Sequence, residues 1–217
     1  MKQTILYTVA TALLALMCCC SPADRNRDFI RVEGTALVDG KGNEFKIRGT
    51  NLGHWLNPEG YIFKFGNRAN SVHFIDEALR QAVGEEFTDR FWRRFVENYI
   101  TEDDIRYIAS TGATTVRLPF HYKLLTDEPY LGMTSAEEGF RIIDRVVGWC
   151  RKAGLRIILD MHDCPGGQTG DNIDDSYGYP WLFESEEAQA EFIDIWCRVA
   201  RRYADEPAIL GYDLMNE

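Results

Sequence analysis

Positive charge is in short supply in this 217-residue chain: 24 Lys and Arg stand against 34 Asp and Glu, a formal net charge of -10. Nucleic-acid binding needs clustered Lys and Arg against phosphate, so that class of partner is excluded. Long hydrophobic runs are missing too. The apolar stretch at residues 5–17 is too short to span a bilayer comfortably and has the form of a signal peptide. No C-x-x-C spacing suggests zinc. Gly166, Gly167 and Gly170 lack the lysine of a GxxxxGK[ST] phosphate loop, and the G-x-S-x-G elbow of one esterase class is absent. No segment is of low complexity. A hydrophobic content of 45% and a mean hydropathy of -0.30 describe an ordinary globular chain rather than a disordered one.

What is present begins with export. Lys2 precedes the apolar run, and Cys18, Cys19, Cys20 and Ser21 follow it, where a soluble signal would carry small residues. A cysteine there resembles the lipobox of bacterial lipoproteins, whose mature N-terminal cysteine carries lipid. Residues 1–20 are therefore expected to be a lipoprotein signal, and residues 21–28 a polar tether. The product is expected in the periplasm or on the cell surface, touching membrane only through that anchor; an ordinary cleaved signal would give a secreted protein. Cys150, Cys164 and Cys197 remain, and Cys150 shares an apolar helical face with Ile143, Val146 and Val147, the position of a buried thiol.

Residues 29–217 read as one folded region. Residues 29–39 and 44–48 are β-prone and flank the turn at residues 39–43, predicting an N-terminal hairpin. Residues 47–55 then supply a first barrel strand and its exit loop. Helical patterns over 71–83 and 85–99 look like an insertion. Thr101 is a good N-cap for a helix ending at Gly112, Ser135 and Glu138 form a capping-box pattern for one ending at Gly154, and Ser185 caps a third. Between them run short apolar strands at 114–121, 155–162 and 209–217, with Pro119 expected where pairing of the first ends. The order hairpin, β, inserted helices, α, β, α, β, α, β fits the first four strands of an α/β (β/α)8 TIM barrel, with an open doubly wound sheet as the alternative.

Every strand ends in polar side chains. Arg117 and His121 close the second, His162 the third, and Asn216 and Glu217 the fourth. A carboxylic acid at a buried strand end is expected in a partly dry pocket, where it can donate a proton near neutrality. Arg117 needs a carboxylate or polar ligand nearby if it is buried. His162 lies between Asp160 and Asp163, which suggests a metal site. Alternation along a strand places Asp160 and His162 on one face and Asp163 on the other, so no metal is expected. No cofactor is called for. Trp55, Tyr177, Tyr179 and Trp181 fall on loops after strands, where aromatic faces could meet sugars or anchor the loops.

The motifs together resemble glycoside hydrolase family 5, the cellulase and β-glucanase family of (β/α)8 barrels. They are RGTNLGHWL at 48–56, VRLPF at 116–120, LDMH at 159–162 and DLMNE at 213–217, in the family's order. The loop from His162 through Pro165, Gly166 and Gln168 to Gly170 is most similar to the exo-β-1,3-glucanase branch, with His54 where that branch has a second glycine. The resemblance implies a retaining hydrolase of β-glucan or oligosaccharide, with Glu217 as general acid and then base. It also implies substrate contacts from Asn216, His162, Arg117 and His121, and Arg117 holding the nucleophile's carboxylate. The nucleophile is implied on a seventh strand, so the chain is expected to be the front half of the barrel and inactive alone. A non-catalytic surface carbohydrate-binding lipoprotein is the alternative.

Overall fold

The computed structural model describes residues 28–65 and 68–217. The signal sequence, the cysteines at 18–20 and nearly all of the tether lie outside the described residues. Among those described, no helix is long and apolar enough to cross a membrane. The chain divides into two compact units, residues 1–46 and 47–217.

In the first unit, β1 (Arg31–Glu33) pairs antiparallel with β2 (Ala36–Val38). The hairpin therefore turns earlier than the composition suggests: residues 29–39 are two short strands, not one. Gly34 supplies the reason, because its φ of +62° is a left-handed conformation open to glycine and it lets the chain reverse within two residues. The stretch at 44–48 is no strand, and Glu44 makes only a single bridge to Val38. Residues 39–43 do form a turn, with Asp39 accepting the backbone N–H groups of Lys41 and Asn43.

The second unit is built on four parallel strands in chain order, β3 (Gly49–Asn51), β4 (Thr115–His121), β5 (Arg156–Asp163) and β6 (Ile209–Asp213). Gly49 begins β3 because a Cβ there would sit 1.7 Å from the Thr115 carbonyl oxygen. Pro119 does not end β4. It pairs with Asp160 of β5, and the strand runs on to His121. What stops is the pairing on the other side: β3 matches β4 only as far as Arg117, the chain loops out, and Leu56 returns to bridge Phe120. A residue with no N–H is tolerated where its neighbouring strand has left.

Helices α1 (Val72–Val83) and α2 (Glu85–Asn98) form the insertion, and α3 (Glu102–Ser110), α4 (Ala136–Ala153) and α5 (Glu186–Arg202) join the strands. Thr101 and Asp104 make a reciprocal capping box, and Ser185 accepts the Ala188 N–H. Ser135 does not cap through its side chain; Asp127 takes the Ala136 N–H and Glu138 reaches back to Thr134. The predicted apolar face of α4, Ile143, Val146, Val147 and Cys150, is buried, and burial pushes the Cys150 thiol up to about 12. With Val116, Leu118, Ile157, Leu159, Ile195 and Val199 it forms one core. That core fixes the strands, and their C-terminal ends carry the polar residues.

Candidate active site

Arg117 projects from β4 into a cluster drawn from three strand ends. Its Nε and Nη2 donate to Asp213 Oδ2 at 3.0 and 2.8 Å, and Nη2 also reaches Asp160 Oδ2 and Asn216 Oδ1, both at 3.0 Å. The partner that a half-buried guanidinium needs is thus two carboxylates and an amide. Asp160 is completely buried. Burial raises its carboxyl above the ordinary range, against the pull of His162 and Arg117. Its Oδ2 takes a 2.7 Å bond from His162 Nδ1, while its Oδ1 is buried with no partner among the described residues. The other ring nitrogen of His162, Nε2, lies 3.4 Å from Asn216 Nδ2.

Asn216 is therefore held at both ends of its amide, by Arg117 on the oxygen and His162 on the nitrogen. Its backbone N–H adds a bond to the Met161 carbonyl at 3.3 Å. Glu217 follows with φ +43° and is exposed. Leu214 and Met215, which lead from β6 to Asn216, are exposed as well. Tyr61 is the group that senses it: burial first, then Glu59 and Glu217, raise the phenol.

The structure brings Arg117, His162, Asn216 and Glu217 to the C-terminal end of the sheet; His121 lies at the same end, paired with Asp163, but its side chain belongs to a separate cluster. His121 is 1% exposed, and the contacts it makes among the described residues are internal ones. Its Nδ1 accepts the Lys123 N–H, and its Nε2 donates to Asp175 Oδ2 at 3.1 Å. The ring lies between Tyr122 and Tyr130 at 4.8 and 4.7 Å. Asp175 also accepts from His73, at Nδ1 (2.5 Å) and the backbone N–H (3.0 Å). Burial would raise the Asp175 carboxyl, but the bonds from His121 and His73 outweigh it and hold it below the usual range. Burial lowers His121, which stays neutral.

Asp163 belongs to this second cluster, 2.8 Å from Asn57 Nδ2 and 3.8 Å from His121. Burial, followed by the fields of Asp175 and Asp174, pushes its carboxyl well up. The alternation argument thus holds: Asp160 and His162 touch one another, and Asp163 turns away. No cluster of His, Cys, Asp and Glu suited to a metal occurs among the described residues.

Trp55 is a core anchor, fully buried with Nε1 on the Val96 carbonyl at 2.9 Å. Tyr177, Tyr179 and Trp181 are exposed on the loop after β5. His54 adopts φ +61°, is buried against Phe63 at 4.2 Å, and accepts the Glu59 N–H; burial pushes it down to about 4. Residue-by-residue reading missed Gln168, Asp160 and Asp213 as members of the site. Gln168 donates to the His162 carbonyl at 2.8 Å and the Asn216 carbonyl at 2.9 Å. Its only signal was its place in the loop motif after His162.

Comparison with known proteins agrees with this geometry. The family model described as Cellulase (glycosyl hydrolase family 5) matches residues 81–217. A Phanerodontia chrysosporium beta-xylosidase is 35% identical over 190 residues, 87% of this chain and 39% of its own. Endoglucanase C of Acetivibrio thermocellus is 37% identical over 127 residues, 58% of this chain and 35% of its own. The chain thus spans well under half the length of these relatives. The fold is similar to the crystal structure of rutinosidase from Aspergillus niger, with a TM-score of 0.65 at 23% identity, covering 80% of this chain and 49% of that one. The sheet, with its helices, is the corresponding part of a (β/α)8 barrel, and the chain belongs to glycoside hydrolase family 5.

Proposed function

We propose that these residues form the acid/base side of a retaining glycoside hydrolase that cleaves β-glucans or β-linked oligosaccharides. The observation that carries the reading is the fixed amide of Asn216, held by Arg117 and His162 immediately before the carboxylic acid of Glu217. In the first step Glu217 gives its proton to the glycosidic oxygen while a second carboxylate attacks the anomeric carbon, and the bond to the leaving sugar breaks. In the second, Glu217 takes a proton from water, whose oxygen displaces the enzyme carboxylate. Asn216 is poised to bond the 2-hydroxyl of the sugar at the cleavage point. Retention requires carboxylates about 5 Å apart.

The test is Glu217→Gln in the full-length protein. Cleavage of unactivated glucan should fall by about 10²–10⁴-fold, the usual contribution of a general acid. An aryl glycoside with a good leaving group should lose far less in its first step, and azide should speed turnover of the intermediate. Equal losses on both substrates, with no azide rescue, would overturn the assignment. The hydrolase names of the relatives support β-glucan as the substrate class, to be checked on β-1,3-glucan, β-1,4-glucan and xylan in parallel. We further propose that the protein is exported and lipid-anchored, on the apolar run and Cys18 to Cys20. Globomycin should make the precursor accumulate; unchanged processing would refute the anchor.

A further inference from the structure

The side-chain amide of Gln168, in the loop after β5, is almost wholly buried and has every polar atom engaged. Its Oε1 accepts the Cys164 N–H at 3.1 Å. Its Nε2 spends one proton on the His162 carbonyl and the other on the Asn216 carbonyl. Those carbonyls belong to His162 and Asn216, whose side chains face one another at 3.4 Å, and Asn216 immediately precedes the candidate acid. The loop does not need this bond to hold itself together. Asp174 accepts the Gln168 N–H at 2.7 Å, together with the N–H groups of Thr169 and Ser176.

The Asn216 carbonyl and the Glu217 N–H lie in one rigid peptide plane. Whatever fixes that carbonyl fixes the direction in which Glu217 leaves the chain. The β5–β6 ladder ends at Asp160 and Asp213, three residues short of Asn216. Beyond it, the bonds that hold the Asn216 backbone are the 3.3 Å contact to Met161 and the one from Gln168.

We propose that Gln168 is a positioning residue for the acid/base carboxyl: its amide locks the Asn216–Glu217 peptide plane to the end of β5. The inference rests on the reading of Glu217 as acid/base. Gln168 touches no reacting atom and acts through the backbone, so its loss should appear in the proton-transfer step and not in binding.

Two variants of the full-length protein test it. Gln168→Met keeps the length and loses both donors; Gln168→Glu keeps the shape and regains one donor only when the carboxyl is protonated. Misplacement by about 1 Å costs about 10²-fold. Gln168→Met should therefore lower kcat on unactivated glucan by about that factor, with KM little changed, and spare a dinitrophenyl glycoside in its first step. Gln168→Glu should be as impaired at neutral pH and recover as pH falls, moving the optimum to acid. Equal losses on both substrates, a change in KM alone, or no acid recovery would overturn the proposal. If Gln168→Met does not fold, the pH profile of Gln168→Glu decides. Should Glu217→Gln lack its own leaving-group signature, the acid/base reading itself falls; should it show that signature while the Gln168 variants do not, only the positioning role falls.

Discussion

The Arg117 cluster and the His121 cluster both draw on β4 and β5, the first with Asp213 of β6 added and the second with Asp175 of the loop after β5, and each joins basic side chains to two aspartates. In the first, the side chains of Arg117 and Asp213 keep 22% and 39% of their exposure; in the second, His121 and Asp163 keep 1% and 3%. The first balances a permanent cation against its carboxylates. The second has no guanidinium, and burial dominates there: it lowers His121 and raises Asp163, while the bonds from His121 and His73 hold Asp175 below the usual carboxylate range. In the second cluster the loop after β5 supplies the partner: residues 171–176 bring Asp175 onto His121.

The comparison breaks most completely if Arg117 is removed. Arg117→Met strips Asp160 and Asp213 of their cation, and stability should fall by about 3 kcal/mol, as when one partner of a buried pair is lost. It also frees the Asn216 oxygen, so glucan hydrolysis by the protein that remains folded should be nearly abolished. Activity within tenfold of the parent would show that the open cluster does not position the site.

Asp175→Asn sharpens the contrast. An amide can accept from one histidine but turns a donor toward the other, and bonds to a charged group contribute about 1.5–3 kcal/mol each. Denaturant unfolding should show a loss of about 2 kcal/mol, while hydrolysis of a small aryl glycoside at low temperature stays near the parent rate. A large drop in that rate without a stability loss would join the two clusters into one functional unit.

The smallest effect is at His54. Its folded value of about 4 lies below the 6.5 of an unperturbed imidazole, so in that window the unfolded chain binds the extra proton. Stability should therefore decline as pH falls from about 6.5 toward 4. His54→Asn, which tolerates the left-handed backbone, should flatten that acid limb. A limb of unchanged steepness would place the titrating group elsewhere.

The alternation of helices and strands was legible because its punctuation is local: Thr101 and Ser185 cap, and Gly112 and Gly154 stop. The parallel order follows from connections long enough to cross back. Less was legible wherever the answer depends on a partner distant in sequence. Nothing in the residues around His121 announces Asp175, fifty-four positions on, and the apparent cap at Ser135 lost to Asp127 across a turn. Of the site, the strand-end positions of Arg117, His162, Asn216 and Glu217 could be read directly. The reach of Gln168 to Asn216 could not, since it depends on how β5, β6 and the intervening loop meet in space.

One feature of the sheet bears on how the protein is made. Its spatial order β3, β4, β5, β6 repeats the order of synthesis, so each strand leaving the ribosome finds its immediate predecessor already in place. Growth by addition at a single margin needs no strand to wait for one not yet translated, which shortens the search that slows parallel sheets. Each newly made edge stays unpaired until it gains a neighbour, so the growing sheet is open to mispairing at that margin.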